Sequence, residues 1–354
     1  MQVQAKKQQR ILYVDLLRIF SIYLMMLLHI SSGFTNPAVG SPIWHTGNIY
    51  CSSVRCCVPL FLMISGIFFL NPNKNYTFRH LLHNNIKRLT TAFLFWSVLY
   101  ALYACYMNPN HQSRVVLKQL IQQTFVGHYH MWFLFTLITI YFCVPLLRVF
   151  SKEDHILRYA LMVSFVCSFL LPDLALCTSR FTTLLQDNVE NMHYSLLGGY
   201  AFYFLFGYKL YKQPVNKKQE VIAYILGLLG VLATIFLTYF YSKETGSTNQ
   251  TWYGYIHCNV LFPAVAVFIF FQKRVSKWKI KAGMEKCILL LSSCSFGMYL
   301  FHDFLNAYFV QIGGLNWTQQ IWLVIPAVTT LIFVVSFIVS FLLSKLPILH
   351  KYIL

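Results

Sequence analysis

Charge is what this chain has least of. Only 11% of its 354 residues are Asp, Glu, Lys or Arg, against about 25% in an ordinary soluble domain. Acidic residues are scarcer still, 10 against 28 basic ones. A soluble fold of this size needs a charged surface to stay dispersed, so the shortage excludes one and lipid must cover much of the molecule. The 10 cysteines include no CxxC pair and no metal-finger spacing, and they read as small apolar core residues. Cys177 and Cys258 fall near proposed outer ends, but nothing beyond position supports a disulfide between them. A nucleophile elbow, a phosphate loop and a nucleotide-fold fingerprint are missing too. So are an interdomain linker, a low-complexity tract and an internal repeat, which leaves one membrane domain over 1–354 with no soluble domain appended. No small-residue cleavage site follows the first apolar run, so that run is expected to be a retained helix and not a signal peptide.

What the chain has is apolar length. Hydrophobic residues make up 57% of it, and mean hydropathy is +0.57. Runs near 20 residues cross a bilayer as helices. Such runs occur at about 11–33, 47–70, 87–108, 130–150, 156–176, 193–211, 220–241, 255–272, 287–309 and 320–344. The expected fold is therefore all-α, a polytopic bundle of about ten transmembrane helices. Of the 28 basic residues, twenty-two fall on one side of this map, four on the other, and Arg18 and Arg55 lie within helices. Basic loops resist translocation, so both termini are expected in the cytoplasm of an inner or plasma membrane protein. The same scatter of short clusters argues against a nucleic-acid partner, which would want one continuous basic face. The basic loops suit lipid headgroups, or else an anionic cytoplasmic ligand.

Ionisable groups inside a membrane helix are costly, and the first helix holds three: Asp15, Arg18 and His29. Asp15 and Arg18, three apart, share a face and can pair. Arg18 and His29, eleven apart, are separated by three full turns plus about 20°, so they lie on one stripe roughly 16 Å apart along the axis. One face thus presents a cation near the inner mouth and an imidazole deep in the bundle. Snorkelling to headgroups would also account for Arg18, and helix packing for His29. Arg55 falls too far into the second helix for easy snorkelling and needs anionic or carbonyl partners. Pro59 and Gly66 mark that helix as one that kinks or packs closely; Ser65 caps a broken turn, touches a ligand or simply packs. Tyr299 and His302 share a face of the ninth helix, beside Asp303, and His302 reads equally as an orienting group or a satisfied core histidine. The stretch His128, Tyr129, His130, Met131, Trp132 suits an interfacial aromatic belt, and its aromatic faces also suit sugar rings. No carboxylate or cysteine stands near these histidines in the chain, so no metal is expected.

These residues carry a resemblance. RILYVDLLRIFSIYLMMLLH resembles the first helix of the acyltransferase-3 family, marked by a basic residue, ten residues, then histidine: here Arg18 to His29. RCCVPLFLMISG, HMWFLFTLITIYFCVPLL, FYFLFGYKL, SFGMYLFHDF and LSKLPIL resemble further family signatures, in order along the chain. The resemblance implies an enzyme that takes an acyl group, often acetyl, from cytoplasmic acyl-coenzyme A and passes it to a hydroxyl of a cell-surface or lipid-linked sugar. It implies His29 as catalytic base and Arg18, steadied by Asp15, as a coenzyme A contact. Arg55, Ser65, Tyr299, Trp132 and His302 are then candidates for oxyanion support or acceptor contact. The implied partners are membrane lipids, acyl-coenzyme A as donor substrate with no permanently bound cofactor, a glycan acceptor and proteins of glycan assembly. A secondary transporter or flippase for a polar or glycan-related substrate is the competing reading, since intramembrane charges suit transport as well.

Overall fold

The computed structural model describes residues 11–74, 76–107, 120–122, 124–177, 199–311, 320–347 and 349. Residues 178–192, most of the outer segment 109–129, the start of the expected sixth span and the Cys177 side chain lie outside the described residues.

The described chain is helical throughout, with no strand among the described residues. In chain order the helices are α1 (Leu12–Gly33), α2 (Pro42–Val54), α3 (Cys57–Phe69) and α4 (Lys87–Met107). There follow α5 (Trp132–Lys152), α6 (Asp154–Phe165) and α7 (Tyr200–Lys212). The last four are α8 (Lys217–Thr245), α9 (Cys258–Lys273), α10 (Ala282–Gln311) and α11 (Ile321–Ser344). Two of them are lengthened by π-helical turns, Leu81–Ile86 ahead of α4 and Val166–Leu170 after α6. Among the described residues nine helical stretches are long and apolar enough to cross a membrane. Of the expected sixth span, 193–211, residues 199–211 are described, and the 13 residues of α7 are mostly buried.

The second span is made of two halves. Pro59 has no N–H, and its ring clashes with the carbonyl four residues back, which belongs to Arg55. The ladder therefore stops at Val54 and restarts at Cys57, with Arg55 and Cys56 in the turn between. The span still reads as one 28-residue crossing, Pro42–Phe69.

The centre of the bundle is α1, which packs on α2, α3, α9, α10 and α11. Its neighbour α3 crosses α7 at backbone contact. A Cβ on Gly66 would collide with the Phe204 carbonyl, and one on Gly207 with the Met63 backbone. Small residues of this kind let helices approach closely where no hydrophobic effect drives them together. The rim is apolar outward: Leu228, Leu229 and Phe236 of α8 and Leu323, Leu331 and Leu342 of α11 are exposed. Lipid tails cover such a surface at no cost, whereas water would not.

Two ion pairs and the contacts of one arginine gather at one end of the helices. There Lys209 pairs with Asp154 (2.6 Å) and Arg274 with Glu220 (2.7 Å). Arg148 donates to the carbonyls of Phe69 (2.7 Å), Asn71 (3.2 Å) and Lys74 (2.7 Å), closing the end of α3. This basic end also holds Arg18, and His29 lies toward the opposite end of α1.

Candidate active site

Both ends of the α1 stripe turn toward α10. The Arg18 guanidinium donates to Ser292 Oγ (3.2 Å) and lies 3.7 Å from Asp15. The Ser292 hydroxyl donates in turn to Asp15 (2.5 Å). The His29 ring, three turns further along, stands 5.1 Å from that of His302 on the same partner helix. Neither group points into lipid.

Arg18 lines a cavity of about 370 Å³ that runs inward between α1, α3, α4, α5 and α10. Its mouth is polar, with Arg18, Arg88, Asn84, Asn85 and Ser292; its walls are aromatic, with Phe61, Phe68, Phe133 and Phe296. Ser65 and Tyr299 reach it as well. The Ser65 hydroxyl is spent on its own helix, on the Phe61 carbonyl (2.9 Å). Tyr299 stands at the far wall, where its hydroxyl donates to the His130 carbonyl (2.7 Å). That bond joins the cavity wall to a cluster of four histidines.

The cluster is built from three elements. α1 brings His29, the 3-10 turn Tyr129–Met131 and its N-cap bring His128, Tyr129 and His130, and α10 brings His302 and Asp303. Asp303 is buried, and its carboxylate accepts from Tyr129 Oη (2.7 Å) and Asn306 Nδ2 (2.9 Å). Its other oxygen faces His128 Nδ1 (3.2 Å). A carboxylate only accepts, so the single Tyr129 hydrogen points at Asp303. The lone pairs of that hydroxyl then face His29 Nδ1 at 3.3 Å, which must carry its proton there. In the neutral ring the lone pair sits on His29 Nε2. The same logic fixes His302: its Nδ1 is 2.7 Å from the Tyr299 carbonyl and bears the proton, leaving the buried Nε2 lone pair with no partner. The site thus holds two neighbouring imidazoles with their planes tilted by 42°, each with its Nδ1 proton engaged.

The absence of a nearby carboxylate, on which the expectation of no metal rested, is corrected by the fold. Asp303 arrives 174 positions after Tyr129 and completes two sets that could hold an ion: His29, His302 and Asp303, and His128, His130 and Asp303. The ligand atoms of each set lie within 4.8 Å of one another. The hydrogen bonds described above account for Asp303 without an ion.

Arg55 and Trp132 lie apart from the cavity lining. The Arg55 guanidinium lies 4.1 Å from the centre of the Tyr253 ring and 6.0 Å from that of Tyr255. Trp132 stacks on Tyr255 at 5.6 Å. Of the sequence candidates, then, Asp15, Arg18, Ser65 and Tyr299 belong to the cavity end, His29 and His302 to the histidine cluster, and Arg55 and Trp132 to an aromatic group beside it. Sequence reasoning passed over Ser292, Arg88 and Asn306 as site residues, and named Tyr129 only within an aromatic stretch. The one available signal was the run of histidines and aromatics next to Tyr129, which an interfacial belt explained equally well.

The family model for the acyltransferase-3 domain, described as an acyltransferase domain, matches residues 11–345. No curated protein and no solved structure matches the chain.

Proposed function

Since the chain belongs to the acyltransferase-3 family over nearly its whole length, we propose that it moves an acyl group, acetyl in the simplest case, from cytoplasmic acyl-coenzyme A to a hydroxyl of a cell-surface or lipid-linked sugar, with His29 as general base. One observation supports this above the others. A cavity with cations at its mouth and aromatic walls ends at Tyr299, and Tyr299 is bonded to the backbone of the histidine cluster that contains His29.

The parts then have assignable tasks. Arg18, Arg88 and the asparagines at the mouth suit the phosphates of coenzyme A, and the aromatic walls suit its extended arm. His29 Nε2 takes the proton of the acceptor hydroxyl as the oxygen attacks the thioester carbonyl. The tetrahedral intermediate collapses, the carbon–sulfur bond breaks, and the thiolate recovers that proton from the imidazolium. Base catalysis of this kind is worth roughly two to four powers of ten in rate. Asp303, through Tyr129, holds the imidazole in the tautomer that has its lone pair at Nε2 and steadies the imidazolium between the two proton transfers. His302 Nε2, unpartnered and facing the same space, accepts from the incoming hydroxyl or from a water that keeps its place.

The test is thioester consumption. Purified protein with labelled acetyl-coenzyme A and lipid-linked sugars releases free coenzyme A; His29→Ala loses turnover, whereas Arg18→Ala chiefly raises the donor KM. A transporter consumes no thioester at all. Full turnover in His29→Ala removes the base from this account.

A further inference from the structure

Arg55 sits where a cation is hardest to keep. Thirteen residues of α2 precede it and thirteen of α3 follow Cys56, which puts it at the middle of a 28-residue span. That is roughly 20 Å from either end of the span. A charge at such depth is retained only with partners. Among the described residues no carboxylate supplies one. Asp15 is paired with Arg18, Asp154 with Lys209, Asp173 with His257 and Glu220 with Arg274, while Asp303 is committed to Tyr129 and His128. The Arg55 Nε is buried with no acceptor.

What Arg55 does have is an aromatic surround. Its guanidinium rests on Tyr253, whose hydroxyl is fixed on Asn48 (2.7 Å), so the ring cannot turn away. Tyr255 is the next ring, Trp132 stacks on it with planes 24° apart, and Tyr200 lies 5.7 Å beyond. Trp132 is 36% exposed and stands two residues after His130. Cation–π contact lowers the cost of the arginine without neutralising it. None of Arg55, Trp132, Tyr255 or Tyr200 lines the cavity that begins at Arg18. Arg55 is nevertheless within electrostatic reach of His29.

We infer that the acceptor is an anionic sugar, its ring lying against the exposed Trp132 indole that Tyr255 backs, and its carboxylate or phosphate bound by Arg55. The inference rests on the transfer reading and narrows its substrate class. A planar fork of donors with one nitrogen already orphaned is the group that recognises either anion in two-point fashion. Aromatic faces take the C–H face of a pyranose while the arginine fixes its orientation.

The experiment compares anionic acceptors with their nearest neutral counterparts. Purified protein with acetyl-coenzyme A is given methyl glucuronide against methyl glucoside, methyl galacturonide against methyl galactoside, and glucose 1-phosphate against methyl glucoside, and coenzyme A release is followed. The anionic member of at least one pair is used at least about tenfold better in kcat/KM, a difference that one charge-assisted contact supplies. The uronide and phosphate arms tell which anion is meant. Arg55→Gln brings that ratio close to one by raising the anionic acceptor's KM, and Arg55→Lys keeps part of it. Equal use of charged and neutral members by the wild type overturns the inference and leaves the transfer reading standing. A parallel fall in kcat for charged and neutral acceptors in Arg55→Gln also overturns it, because the arginine then serves the thioester carbonyl. No thioester consumption with any acceptor overturns both readings. The wild-type ratio needs no variant, so a poorly folding Arg55→Gln leaves the test intact.

Discussion

The Tyr129 hydroxyl joins Asp303 to His29: it donates to the carboxylate at 2.7 Å and stands 3.3 Å from the imidazole Nδ1. One hydroxyl thereby decides which nitrogen of His29 keeps its lone pair. The hydroxyl serves both because its one hydrogen goes to the carboxylate while its lone pairs remain for the Nδ1 proton.

Tyr129→Phe removes the acceptor for the His29 proton and a donor to buried Asp303. A hydrogen bond to a charged group is worth about 1.5–3 kcal/mol, so kcat is expected to fall roughly ten- to a hundredfold. The donor KM stays near the wild-type value, because Tyr129 is far from the Arg18 mouth. Steady-state kinetics on purified protein check this; an unchanged kcat removes Tyr129 from the proton path.

Asp15→Asn leaves Arg18 its Ser292 contact but takes away its charged neighbour at 3.7 Å. The Arg18 side chain is 30% exposed, so solvent screens the pair. A pair of this kind is worth about 0–1 kcal/mol, and the donor KM is expected to rise by no more than about fivefold. Titrating acyl-coenzyme A at saturating acceptor measures it. A fall in kcat with the KM unmoved would place Asp15 in the chemistry and not in donor binding.

Gly66→Ala forces the α3–α7 crossing apart at the Phe204 carbonyl. Overpacking of a tight contact costs about 1–3 kcal/mol, so the melting temperature in detergent is expected to drop, with Gly207→Ala doing the same from the opposite helix. An unshifted melting curve in both variants would mean that the two backbones are not in contact.

Apolar length and charge position made the bundle legible. The Arg18–His29 stripe was legible too, because both residues sit on one helix and the helical repeat alone sets their relation. Asp303 with Tyr129 was not, since they meet across α10 and the turn before α5, and nothing local to either residue specifies the other. Arg148 is another such case. Its guanidinium takes three carbonyls at the end of α3, a contact that nothing in its own helix specifies. Arg55 stood out as costly at once. That it would meet tyrosines from the 3-10 turn Thr251–Tyr253 and the residues after it, and not a carboxylate, depended on packing between segments two hundred positions apart.

The interruption in the second span rests on a single pyrrolidine ring. Where that ring stands in the chain determines which residue surrenders its carbonyl and is left in the gap. Moving Pro59 by one position would transfer the freed carbonyl to Val54 or Cys56, about 100° around the helix from that of Arg55. Lengthening or shortening the chain between Arg55 and Pro59 is therefore a far harsher change than substituting any residue there. The four-residue interval acts as a ruler that holds a charge at one depth and one compass bearing inside the bilayer.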